Sequence, residues 1–346
     1  LMPSRTGIEF IDHEKEEWDI NHWVRGGCLY GVLPANGLTY APPHNCACYP
    51  EAKLYGFNAL AATGSKPVMI ATGKRLERGP AYADALGVEA DVLDWPTYRH
   101  DVARSGSSGQ ELGKDLGSAW EADLGGRLSA LTIADGKVFV SQIDAHTVHA
   151  LAHKDGKRLW HFIAGARVDS PPTFWKGRVL FGCSDGNVYC LRASDGELVW
   201  RFRAAPGDRR TMVFEQLESL WPVPGSVLVE DGVVSFVAGR SAFLDGGMLF
   251  YRLDAATGRV LVHKRIDDRD PESGGDLQDR IQTLQMPVAL NDILSSDGKL
   301  TYLRSQKIEK DGERIEIGPV SGNPAAQGAK QAGEGSKKAM DAARES

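Results

Sequence analysis

Three tryptophans, Trp120, Trp160 and Trp200, stand 40 residues apart, and what lies between them repeats. Arg127 and Arg167, Val148 and Val188, and Gly156 and Gly196 keep the same spacing, while Gly136 and Gly177 are 41 apart. A period of about 40 residues marks an array of supersecondary units, each burying its apolar face on its neighbours. The local pattern decides which unit it is. "KVFVSQI", "TVHALAH" and "RLWHFIA" are β-rich runs divided by Asp-Gly dipeptides or short polar links. Asp135-Gly136, Asp155-Gly156, Asp185-Gly186, Asp195-Gly196, Asp231-Gly232 and Asp297-Gly298 read as primed hairpin turns, where glycine tolerates a positive φ. No sustained i, i+3, i+4 pattern is present, which excludes a helical repeat. Four short strands per unit, joined by tight turns, describe a blade of an all-β propeller built from four-stranded antiparallel sheets.

Weaker copies emerge once the period is known. Residues 230–262 form one, with Val262 where the tryptophan would stand. Residues 295–304 begin another, and 35–60 form an earlier one with Asn36-Gly37 in the Asp-Gly place. The reading is five or six blades or part-blades in this chain, a piece of a ring of about seven or eight blades. Residues 1–62 are assigned to part-blades with a cysteine-rich loop, 63–112 to a linker or insertion and 113–320 to the repeat blades. Residues 321–346, "SGNPAAQGAKQAGEGSKKAMDAARES", hold almost no large apolar residue and read as a disordered tail.

"ALAHKDGKRLW" (150–160) and "CLRASDGELVW" (190–200) resemble the tryptophan-docking motif of bacterial PQQ-like (pyrroloquinoline-quinone-type) repeat propellers. In that motif a small residue opens, glycine stands seventh and tryptophan eleventh. The resemblance makes Trp120, Trp160, Trp200, Gly156 and Gly196 structural docking residues between blades. "DWPTYRHDVARSG" (94–106) resembles the segment that often opens such propellers. The likeness covers roughly residues 20–305 and extends to outer-membrane assembly lipoproteins and to quinoprotein dehydrogenases.

Charge narrows the partners. A net charge of −6 and a pI near 5.9 leave no basic stripe to neutralise phosphates, so nucleic acid is not expected. No apolar run is long enough to span a membrane as a helix. The opening "LMPSRTGIEF" has neither an initiating methionine nor a basic region followed by an apolar one, and reads as a chain whose true start lies upstream.

In a four-stranded meander the connections between strands B and C, and between D and the next A, share one end. The irregular segments fall there: "APPHNCACYPEAK", 204–225 and 238–247. Any site is therefore expected on that rim, with Arg127, Arg167, Asp169, Arg209, Arg210, Glu215, Glu218, Trp221, Arg240 and Asp245 as polar candidates. The bland reading of the charged set is an ion-pair network holding down the insertion at 204–225.

The cysteines offer three readings. His44, Cys46 and Cys48, with Cys28 or His22, could approach one metal ion, but the spacing suits neither zinc (C-x₂₋₄-C) nor c-type haem. A hairpin turn at Asn36-Gly37 pairs residues whose numbers sum to 73, which sets Cys28 opposite position 45 and favours a disulfide to Cys46 or Cys48. Cys183 and Cys190 read as buried free thiols. The five scattered histidines from His100 to His161 show no ligand spacing, and His149 reads as a core or inter-blade residue.

The sequence thus favours a non-enzymatic binding or scaffolding module without a cofactor, periplasmic or extracellular by resemblance, taking a protein, small-molecule or carbohydrate ligand on the rim. Trp221, Phe214 and Phe243 are the aromatic candidates for sugar. The competing reading is a quinoprotein dehydrogenase using PQQ with Ca²⁺. That family implies adjacent cysteines, whereas this chain has Cys46-Ala47-Cys48.

Overall fold

The computed structural model describes residues 1–3, 7–21, 24–27, 29–43, 56–62, 75–242, 245–267, 269–271, 273–274, 290–304 and 306–315. Among these, regular structure is strand throughout apart from one 3-10 turn, Pro80–Ala83. Two three-stranded sheets come first: β1 (Met2–Pro3), β2 (Ile8–Asp12) and β3 (Glu17–Asn21), then β4 (Leu33–Ala35), β5 (Leu38–Ala41) and β6 (Asn58–Ala61). After β7 (Leu76–Arg78) the repeat blades begin. The first blade holds β8 (Thr132–Ala134), β9 (Lys137–Gln142), β10 (Thr147–Ala152) and β11 (Arg158–Ile163). The second holds β12 (Thr173–Trp175), β13 (Arg178–Gly182), β14 (Asn187–Arg192) and β15 (Leu198–Arg203). A hairpin follows, β16 (Arg210–Val213) and β17 (Gln216–Ser219). The third blade is β18 (Leu228–Glu230), β19 (Val233–Ala238), β20 (Met248–Asp254) and β21 (Val260–Ile266). The fourth is β22 (Ser295–Ser296), β23 (Thr301–Leu303), β24 (Gln306–Ile308) and β25 (Arg314–Ile315). Within each blade the four meander strands pair antiparallel and in chain order, as in a propeller of four-stranded meanders.

The cores lie between successive blades. Phe139, Val148, Ala150 and Trp160 of the first blade pack with Phe174, Val179, Phe181, Tyr189 and Leu191 of the second. Trp200 and Phe202 of the second pack with Val234, Phe236, Leu249 and Tyr251 of the third. An aromatic unit repeats across both interfaces. Phe162 meets the stacked pair Phe181–Tyr189 edge-on, and Phe202 meets Phe236–Tyr251 in the same way. In the first blade the tyrosine's place is taken by His149, which lies opposite Val140 as Tyr189 lies opposite Phe181. It is buried, with its Nε2 3.1 Å from the Gln142 amide oxygen. The 40-residue alternation is thus the signature of strands buried on both faces between neighbours.

The tryptophans and glycines mesh in one recurring contact, Trp160 and Trp200 across these interfaces and Trp120 against the first blade. The Trp160 indole N–H donates to the Ala193 carbonyl at 3.0 Å, and a Cβ on Gly196 would lie 2.7 Å from the ring. Trp120 does the same with the His153 carbonyl and Gly156, and Trp200 with the Ala255 carbonyl and Gly258. At the next step Val262 replaces the indole, and a Cβ on Gly312 would lie 2.8 Å from it.

The turns divide into two kinds, which corrects the uniform primed-turn expectation. Asp135-Gly136, Asp231-Gly232 and Asn36-Gly37 carry both residues at positive φ, as a type I′ hairpin requires. At Asp155-Gly156, Asp185-Gly186, Asp195-Gly196 and Asp297-Gly298 the glycine alone does. There the aspartate side chain accepts a backbone N–H two residues on, as Asp195 does from Glu197 at 3.2 Å.

Two further segments depart from expectation. The segment assigned to a linker contributes β7, which pairs antiparallel with β15 and makes the second blade five-stranded. Leu76 and Arg78 turn toward the third blade, while Glu77 on the opposite face pairs with Arg201. The insertion expected as irregular folds its middle into the β16–β17 hairpin. Residues 95–104 run across the inner edges of three blades. Trp95 bridges Ile133, Pro96 accepts from the Phe174 N–H and Val102 from the Ser296 N–H. Arg104 donates to Thr97 Oγ1, the Tyr98 carbonyl and the Leu294 carbonyl, and its burial lowers its pKa to about 10.

Candidate functional site

The B–C and D–A connections meet at one end of the blades. Backbone hydrogen bonds lace them together: Ile143 N–H to the Arg127 carbonyl, Ser184 to Arg167, Val223 to Cys183 and Gly239 to Pro222. The β16–β17 hairpin rises from this rim. Its foot is fixed by Glu218, whose side chain is 1% exposed. One carboxylate oxygen of Glu218 accepts from Nε and Nη2 of Arg167, the former at 2.9 Å. The other accepts from Nη2 of Arg240 at 2.7 Å. Arg240 also donates to the Ser219 carbonyl at 3.1 Å, and Arg167 lies 3.4 Å from Asp169, which accepts from the Ser184 hydroxyl. A buried carboxylate is tolerable here because two guanidiniums satisfy it.

Five of the ten rim candidates therefore converge: Arg167, Asp169, Glu218 and Arg240 directly, and Asp245 beside them. The Asp245 side chain is 6% exposed and 3.9 Å from Arg209. Its Oδ2 is buried without a partner, and burial raises its pKa to about 6, against the pull of Arg209 and Arg240. Trp221 is buried at 4% exposure, with its indole N–H 3.3 Å from the Asp245 carbonyl. Its ring is a packing group, not a platform for sugar. The other candidates stand apart. Arg127 pairs with Asp144, Arg210 with Asp208, and Glu215 is exposed at the hairpin tip.

The tip itself is the feature that residue-by-residue reading undervalued. Met212, Phe214 and Leu217 are 67%, 80% and 50% exposed. Phe214 and Glu215 hold φ of 49° and 62°, so the turn is type I′ without a glycine or asparagine. Such a conformation costs side-chain-bearing residues on the order of 1–2 kcal/mol apiece and persists because the anchored foot imposes it. The Arg167 guanidinium lies 5.2 Å from the Phe214 ring centroid. The signal in the sequence was Glu218, an acid followed by Leu220 and Trp221, both buried.

His22, His44, Cys28, Cys46, Cys48 and Phe243 lie outside the described residues, and so does the 321–346 tail. The β4–β5 register places Leu33 opposite Tyr40, Pro34 opposite Thr39 and Ala35 opposite Leu38, numbers that sum to 73 in each case. The cysteine-rich stretch falls in the connection between β5 and β6. Cys183 and Cys190 are free and fully buried, and burial raises both thiol pKa values. Among the described residues no group of three or more His, Cys, Asp or Glu side chains could hold a metal ion. Glu218 and Asp169 do not offer the free oxygens a Ca²⁺ cage of six to eight oxygen ligands needs: both oxygens of each already have partners.

The family model described as outer membrane protein assembly factor BamB, a PQQ-repeat model, matches residues 114–307. The chain belongs to this PQQ-like propeller family. A quinohemoprotein alcohol dehydrogenase of Comamonas testosteroni is 28% identical over 175 residues, 44% of this chain and 24% of that protein. The chain thus spans about a quarter of that relative's length. Among solved structures, the quinohemoprotein alcohol dehydrogenase ADHIIG of Pseudomonas putida HK5 aligns with TM-score 0.47 and 19% identity, over 63% of this chain and 34% of that one. BamB of Moraxella catarrhalis aligns with TM-score 0.37 and 13% identity, over 82% and 86%. Family membership fixes a PQQ-like propeller and leaves open the choice between the two kinds of relative. No described helix is long and apolar enough to cross a membrane.

Proposed function

We propose that this chain is a non-enzymatic binding module of the bacterial cell envelope, periplasmic or extracellular, that presents its rim hairpin to a partner protein. The carrying observation is the hairpin itself. A buried Arg167–Glu218–Arg240 anchor holds a strained turn whose apolar side chains, Met212, Phe214 and Leu217, face solvent. Large apolar side chains exposed together on a rigid element mark a protein-interaction site. The Trp120, Trp160 and Trp200 contacts act as docking between blades and give the hairpin a stiff base.

A photo-crosslinking amino acid at position 214 or 217, in cells of the source type, should yield one discrete adduct to a single envelope protein. The same group at the exposed residue Val92 should not. Absence of an adduct at both hairpin positions would sink this reading. The second reading, a PQQ- and Ca²⁺-dependent dehydrogenase, draws on the likeness to quinohemoprotein alcohol dehydrogenases. It requires quinone absorbance and dye-linked alcohol oxidation after reconstitution with PQQ and Ca²⁺. The partnered oxygens of Glu218 and Asp169 speak against it.

A further inference from the structure

Away from the rim, a cavity of about 350 Å³ opens between the added strand β7 and the third blade. Leu76 and Arg78 project into it from β7, and Thr257–Val260, the end of the β20–β21 turn and the first residue of β21, forms the opposite wall. Phe202 and Tyr82 add apolar surface, and Tyr82 is tied to that wall through its hydroxyl, 3.3 Å from the Thr257 carbonyl. Three of the nine lining residues are arginines, Arg75, Arg78 and Arg259, and none is acidic. Their state differs from that of the other arginines nearby: Arg201 has Glu77 and Arg192 has Asp84 and Asp195. Arg75 donates from Nη1 to the Ala204 carbonyl and to the Tyr251 hydroxyl, while its Nε is buried without a partner. The Arg78 guanidinium stacks on Tyr82 at 4.7 Å, leaving its edge N–H groups available. No described carboxylate lies within ion-pair distance of Arg78 or Arg259.

We infer that this cavity is a binding site for a small organic carboxylate with a flat apolar body. Two guanidiniums without an acidic partner, those of Arg78 and Arg259, beside an apolar surface match such a ligand in charge, hydrogen bonding and shape. A cavity of this size sits at the small end of ligand pockets, which run from about 300 to 1,000 Å³. Bare phosphate would satisfy the charge but leave Leu76 and Tyr82 wet. The site is independent of the rim and of the partner-binding reading above.

Titration calorimetry of the full chain with 2-naphthoate, 2-naphthamide and inorganic phosphate tests the assignment. Naphthoate should bind at one site, at least tenfold tighter than either the neutral amide or phosphate. Arg78→Ala and Arg259→Ala should each weaken it about fivefold or more with unchanged melting temperature. Arg127→Ala, on the rim, should leave it unaltered. Equal binding of acid and amide, equal binding of naphthoate and phosphate, no binding of naphthoate, or insensitivity to both cavity variants would each overturn it.

Discussion

At the residue scale the decisive group is Glu218. Removing it leaves buried Arg167 with only Asp169, at 3.4 Å, and Arg240 with only the Ser219 carbonyl, so Glu218→Ala should cost about 3–5 kcal/mol in urea unfolding. Replacing all three with apolar residues of similar volume should restore most of that stability while freeing the hairpin to cleavage by protease, because the anchor's role is to fix one geometry. Asp245 carries the opposite electrostatics. Its folded pKa of about 6 lies above the 3.8 of an ordinary aspartate, and burial is the cause. Between those values the unfolded chain releases a proton that the folded chain keeps, so stability falls as pH rises from about 4 to 6. Asp245→Asn should flatten that fall, gaining up to about 2–3 kcal/mol on the wild type above pH 6, read from unfolding midpoints across pH.

At the element scale the tryptophan–glycine contacts explain why the repeat is strict where it is. Gly196 and Gly298 share a left-handed φ, 77° and 88°, but only Gly196 lies against an indole; a Cβ on Gly298 meets nothing within 4 Å. Gly298→Ala should therefore cost about 1 kcal/mol, the conformational penalty alone. Gly196→Ala should cost roughly 1–3 kcal/mol more, because Trp160 must shift from a packed site. Thermal melts of the two variants separate these contributions; equal losses would mean the indole contact contributes nothing. The turns show how much an element's sequence reveals. Asp-Gly marked a reversal at each place, yet the dipeptide does not distinguish the two turn conformations it adopts.

At the scale of the molecule, stability passes from blade to blade through cores that neither neighbour could form alone. Trp200 is fully buried between the second and third blades. Trp200→Ala should cost about 3–5 kcal/mol and loosen the third blade in preference to the first. Hydrogen exchange should rise over β19 and β20 and stay slow over β9 and β10; uniform acceleration would show that the blades unfold as one unit.

The sequence by itself determined the blade: period, alternation and turn residues specify a four-stranded unit buried on both faces, because these depend only on neighbours a few residues apart. It also placed the irregular connections at one end, since an antiparallel meander leaves no choice. Tertiary structure alone decided what the charged candidates do. Arg127 and Arg167 occupy equivalent repeat positions, yet one is exposed beside Asp144 and the other is buried against Glu218. The difference arises from a hairpin inserted 51 residues later in the chain. Leu76–Arg78 likewise read as linker, because three residues carry no period and gain strand pairing only when β15 offers an open edge. Pairings between distant segments depend on the geometry of the assembled blades, and a local pattern cannot contain that information.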